Sequence, residues 1–129
     1  MYQTRLAPAA EAYRSVDLTS RIESASPHGL VTILYEELLG ALGVVRAAVR
    51  AGTSASRADG LPRALTILQA LENGLDHDKG GAVAGTLAQV YRGIRAQVSK
   101  AAGAGDLPAL DEARRMVADL ALAWGQIGK

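Results

Sequence analysis

"GLDHDKGGAV", residues 74–83, decides how the rest of the chain is read. It sets Asp76, Asp78 and Lys79 around His77 and follows them with two adjacent glycines, Gly80 and Gly81. A metal site, a phosphate cradle, a phosphoryl-accepting histidine and a joint between helices all compete for it. The metal reading fails on geometry. Consecutive Asp76, His77 and Asp78 splay about 100° apart on a helix and do not converge on one ion, and the only other histidine is His28. A phosphate-binding loop needs G-x-x-x-x-G-K-[ST] after a strand, whereas Lys79 precedes the glycines and no strand pattern comes before it. A phosphoacceptor histidine of a helical phosphotransfer bundle lies inside a helix with a lysine three residues on. Here Lys79 is two residues on, and Gly-Gly interrupts the helix. The joint accounts for every residue: Gly80 and Gly81 supply backbone freedom where one helix ends and the next begins. Asp78 caps the helix that follows, and His77 is a solvated passenger.

Taken as a joint, the stretch separates segments of helical period. "SASPHGL" opens the first, with Ser26 as N-cap and Pro27 at the first helical position. Val31, Leu34, Leu38, Leu42, Val45 and Val49 then recur at steps of three and four, with Leu30, Ile33 and Val44 widening the apolar face. "AGTSASRADG", residues 51–60, reads as a loop, and Asp59 with Pro62 marks the next start. Leu61, Leu65, Leu68 and Leu75 form one row there, flanked by Ile67 and Leu71. After the joint come Val83, Leu87, Val90, Ile94 and Val98 with Tyr91 beside them. Asp106 and Pro108 open the last run, which uses Leu110, Ala113, Val117, Leu120 and Trp124. No segment alternates as a strand does. The expected fold is all-α: an antiparallel up-down four-helix bundle over residues 26–129. Residues 1–25 are too weakly periodic to fold alone and are expected as an N-terminal arm or short helix.

Composition narrows the function. The 129 residues carry 14 basic and 13 acidic side chains, interspersed, for a net charge of +1. That gives no general attraction for nucleic acid. No cysteine is present, which removes disulfides, thiolate metal sites and a cysteine nucleophile. The first residues lack the apolar core of a secretion signal, and no apolar run approaches the ~20 residues of a membrane span. A cytoplasmic protein without membrane insertion is therefore expected.

Candidate chemical groups find ordinary explanations. His28 belongs to a first helical turn and is expected to be exposed. Glu36 and Glu37 are adjacent on a helix and point to different faces. Tyr35 and Tyr91 sit beside the apolar stripes, where a ring at the core edge keeps its hydroxyl at the rim. Gly40, Gly43, Gly85 and Gly93 each cost about 0.5–1 kcal/mol relative to alanine inside a helix, which close helix crossing or local softness would explain. No catalytic residue, cofactor site or metal site is expected, so the protein is not expected to be an enzyme.

"SASPHGLVTILYEELLGAL" resembles the opening of the first long helix in the FliS family of flagellar secretion chaperones, "TASP-x-x-L-x-x-x-L-Y". "ILQALENGLDHDKGGAVAGTLAQVY" is similar to that family's "I-x-x-L-x-x-x-L-D … G-G-x-x-A-x-x-L-x-x-x-Y", and Trp124 in "LALAW" matches its tryptophan near the C-terminus. The three motifs stand in register over roughly residues 20–125. The resemblance implies a helical bundle that binds the C-terminal segment of newly made flagellin in the cytosol, prevents its polymerisation and presents it to the flagellar export gate. It also implies an N-terminal arm with a tyrosine lying on the client groove, for which Tyr13 is the nearest candidate. A disordered client brings apolar groups and loses entropy on ordering, so its receptor must offer a long apolar groove. Ile67, Leu71, Val83, Leu87 and Tyr91, flanking the core rows on two consecutive helices, are the expected client surface. Two other readings stay open: a phosphotransfer bundle with His77 as acceptor, which an acid-labile phosphate on His77 would reveal, and a helical adaptor for another secretion substrate.

Overall fold

In a computed structural model, residues 17–127 are described, and all regular structure among them is helical. A short helix, α1 (residues 17–24), precedes α2 (Pro27–Ala51), α3 (Ser54–Asn73), α4 (His77–Ala104) and α5 (Leu107–Gly125). The four long helices form an antiparallel bundle in which each packs on its sequence neighbour and α5 closes back on α2. The all-α bundle expected from the periodicity is the fold.

The helix boundaries follow from local chemistry. Ser26 is the N-cap of α2, its Oγ accepting the Gly29 N–H at 3.1 Å, and Pro27 occupies the first turn. This leaves one fewer orphan donor at the helix start. Gly52 ends α2 in the left-handed region at φ 73°, and the Thr53 N–H bonds the Ala48 carbonyl. This is the closing pattern that glycine permits. Asp106 caps α5 by accepting the Ala109 N–H at 3.1 Å, directly after Gly105 ends α4 at φ 68°.

Two boundaries differ from the sequence reading. The stretch 51–60 is not a loop: only Gly52 and Thr53 link α2 to α3, which runs through Gly60 and Pro62. Gly60 is buried where the helices cross, and a Cβ there would meet Val44, Val45 and the Ala41 carbonyl at 3.0–3.1 Å. Tertiary packing thus overrides two local helix breakers. The second difference is the joint itself. Helix α3 already ends at Gly74, and Asp76 rather than Asp78 caps α4, its Oδ1 accepting the Asp78 and Lys79 N–H groups. One helical turn follows before Gly81 breaks the path at φ 50°, ψ −126°. That turn folds back. A Cβ on Gly80 would lie 2.8 Å from the Ala84 Cβ, where four residues along a regular helix would separate them by about 5–6 Å. Both glycines are accounted for, Gly80 by proximity and Gly81 by its dihedrals.

The core is aliphatic. Leu38, Leu42, Val45, Leu68, Ile94, Val98 and Val117 are the largest fully buried side chains. Ion pairs lace neighbouring helices and record their alignment: Arg63–Glu37 between α3 and α2, Arg46–Asp111 between α2 and α5, and Glu72 with both Arg92 and Arg95 between α3 and α4. Arg92 beside Glu72 holds that carboxyl below its ordinary range. The contribution is therefore present at neutral pH and is lost as pH falls through the acid range. Helix α1 lies on α2 through Arg21, whose guanidinium donates to Glu36 at 2.6 Å. The glutamates of the Glu36–Glu37 pair are thus ion-paired to different helices. Gly40, Gly85 and Gly93 would meet nothing within 4 Å if given a Cβ, and Gly43 only the Arg114 guanidinium at 3.9 Å. Close helix crossing does not explain these four.

Candidate protein-binding site

The Glu72–Arg92 and Gln69–Arg95 bonds set the end of α3 level with Arg92. The part of α4 before Arg92 therefore runs beyond the end of α3, with α5 still alongside it. Gln97 donates to the Ala109 carbonyl near the α4–α5 turn, so the first turns of α4 face the last turns of α5. Val83, Leu87 and Val90 recur there at i, i+4 and i+7, and so do Met116, Leu120 and Ala123 on α5; residues at these steps share one face of a helix. Val90, Met116, Leu120 and Ala123 line one shallow depression, with Arg115 and Asp119 on its rim. The rim charges are paired: Arg115 bonds Glu112 at 2.6 Å and Asp119 at 2.8 Å.

This end of the bundle is unusually apolar. Among the described residues, six large hydrophobic side chains stay exposed. Five of them (Ile22, Leu30, Val83, Leu122 and Ile127) lie where α1 and α5 end and α2 and α4 begin. Val83 is 68% exposed and Leu122 67%. Several exposed apolar side chains at one end of a bundle are the kind of surface that takes another molecule.

Of the client-surface residues expected from sequence, Val83 and Leu87 share the helix face of Val90; Val83 is exposed, and Leu87 is half-buried against the core. Ile67, Leu71 and Tyr91 lie elsewhere: all three are buried in the central cluster with Leu38, Leu68 and Ile94. On a helical wheel a flanking row looks the same whether it faces a groove or a neighbour, and here the bundle interior covers it. Tyr13 lies outside the described residues. Met116, Leu120 and Ala123 were not singled out by sequence as client contacts, although their period was visible on the last helix.

Two polar constellations within the bundle also depart from expectation. Tyr35 and Tyr91 are not at the rim. Both are almost fully buried, and their hydroxyls bond each other across the bundle diagonal from α2 to α4. Burial pushes both phenols up, so they stay neutral and the pair shares one hydrogen bond. Tyr35→Phe is expected to cost about 1–3 kcal/mol, because it strands the buried Tyr91 hydroxyl. The Phe–Phe double variant is expected to be more stable than either single variant, and chemical denaturation of the three decides it. If the double variant falls by the sum of the singles, the hydroxyl pair is not a closed unit.

His28 is the other departure. It is half-buried rather than exposed. Its Nε2–H donates to the Trp124 carbonyl at 3.0 Å, while the Trp124 indole N–H donates to the His28 carbonyl at 3.0 Å. The rings stack at 4.6 Å, inclined by 12°. The start of α2 and the end of α5 are thereby clamped together. His77 is exposed at the first position of α4, between Asp76 and Asp78 and outside any long helical run. Among the described residues no group of three or more metal-ligating side chains is found, and none of their helices is long and apolar enough to cross a membrane.

The family model for flagellar protein FliS matches residues 9–129. The chain is 31% identical over 118 residues to the flagellar secretion chaperone FliS of Salmonella typhimurium, covering 91% of this chain and 87% of that protein. It is 30% identical over 117 residues to the flagellar secretion chaperone FliS of Vibrio cholerae, covering 91% and 86%. It is 26% identical over 119 residues to the flagellar secretion chaperone FliSB of Pseudomonas aeruginosa, covering 92% and 94%. The match takes in the capped opening of α2, the Gly80–Gly81 reversal and the clamped Trp124, and the chain belongs to the FliS family.

Proposed function

We propose that this chain is a cytoplasmic, non-enzymatic export chaperone that binds the C-terminal segment of flagellin in the groove between α4 and α5. By holding that segment it keeps flagellin from polymerising until delivery to the flagellar export apparatus. The observation that carries the reading is the exposed apolar end of the bundle, together with the depression that Val90 of α4 and Met116, Leu120 and Ala123 of α5 line. An apolar face of a client helix fits such a groove by burying side chains at matching steps. Family membership supplies the class of client.

A synthetic peptide of the flagellin C-terminal segment, titrated calorimetrically, tests this. The wild-type chain is expected to bind it, and sub-stoichiometric chain should slow flagellin polymerisation. Val83→Asp is expected to weaken binding about tenfold or more. It removes roughly 1.5 kcal/mol of apolar burial and sets a charge against apolar groups of the client. Because Val83 is exposed in the free chain, the variant should melt with the wild type. Undiminished affinity in Val83→Asp would move the client off this groove.

A further inference from the structure

The last turns of α5 have two neighbours, and they are held very differently on the two sides. On the α2 side, the reciprocal His28–Trp124 bonds and the stacked rings join side chain to backbone in both directions. The Trp124 carbonyl already accepts the Ile127 N–H at 3.1 Å, and the His28 Nε2–H is a second donor to it, from another helix. On the α4 side the packing is looser at this end: Val83 of α4 and Ala123 of α5 are both exposed.

Two apolar walls flanking water gain by closing on each other. For the depression to persist the last turns of α5 must keep their place, and the clamp holds them to α2. We infer that His28 is a positioning residue: by clamping Trp124 it holds the last turns of α5 against α2 and keeps the α4–α5 groove from closing on itself. The inference rests on the groove named in the proposed function, but the clamp's effect on that groove is measurable without any client.

The chain has no cysteine, so Gln89→Cys on α4 and Gln126→Cys after α5, both at exposed positions, take nitroxide labels selectively. In the wild-type background the distance distribution between them should be narrow. Adding His28→Ala is expected to shift it to shorter distances and broaden it, and to make Trp124, the only tryptophan, more accessible to acrylamide. His28→Gln keeps a side-chain N–H donor but loses the stacked ring, and is expected to fall between the two. If His28→Ala lowers helicity by circular dichroism, Trp124→Phe carries the same measurement. It keeps an aromatic ring against His28 and deletes one of the two bonds.

Affinity for the flagellin peptide should fall by the fraction of time the groove is open, so a groove open one-tenth of the time binds about tenfold more weakly. An unchanged or longer label distance in folded His28→Ala overturns the inference, even if peptide binding is lost, because His28 would then act on the client directly. Failure of the wild-type chain to bind peptide counts against the flagellin reading alone; the label distances decide the clamp in either case.

Discussion

Leu71→Glu is expected to unfold the bundle, not merely to silence it. Leu71 is 5% exposed and packs in the central cluster with Leu38, Leu68, Tyr91 and Ile94. Truncating it would already remove about 2–5 kcal/mol of burial and packing. Installing a carboxylate in that cluster of aliphatic and tyrosine side chains adds several kcal/mol of desolvation. Small domains hold only about 5–15 kcal/mol in total, so the variant should lose most of its helical circular dichroism and its cooperative melt. Val83→Asp places the same sign of charge one helix away and should do neither, since water already surrounds that side chain. A folded Leu71→Glu protein that no longer binds flagellin peptide would return Leu71 to the client surface and argue that the core opens there.

Gly81→Val is expected to be the second most damaging change. At φ 50°, ψ −126° the backbone occupies a region that only glycine visits freely, and a β-branched side chain is the worst substitute. Strain of this kind costs about 3 kcal/mol, which in a domain of this size lowers the melting midpoint by roughly 10 °C. Gly85→Ala, four residues on, provides the contrast. It lies in the continuous part of α4 with nothing within 4 Å of a Cβ, so alanine should stabilise it by about 0.5–1 kcal/mol. If Gly81→Val melts with the wild type, the reversal at the start of α4 is not set by that residue.

The parts of this fold that were legible in the sequence are those decided within a few residues. Ser26–Pro27 and Asp106 with Pro108 announce the starts of α2 and α5 because a cap and its donor are three residues apart. The glycine pair at 80–81 was readable as a joint for the same reason, although the cap fell on Asp76, two residues before the position expected. What escaped was set by partners far along the chain. Gly60 reads as a loop residue until α2 is laid against it. His28 reads as a solvated side chain because Trp124 is 96 positions away. The candidate site divides in the same manner. Val83 and Leu87 were proposed from their period, but period alone does not say which flank of a wide apolar face a neighbour will cover. Ile67, Leu71 and Tyr91 were on the covered flank.

The buried hydroxyl pair has a consequence for heredity. Tyr35 and Tyr91 satisfy each other and nothing else inside an otherwise aliphatic core. A lineage that changes one tyrosine to phenylalanine passes through a chain with a stranded polar atom. Only the second change relieves it. The two codons, 56 positions apart, are therefore bound by a valley between two habitable states, and drift at either one is slowed by the other. A core contact that adds little net stability can in this way hold two distant sites in step over long descent.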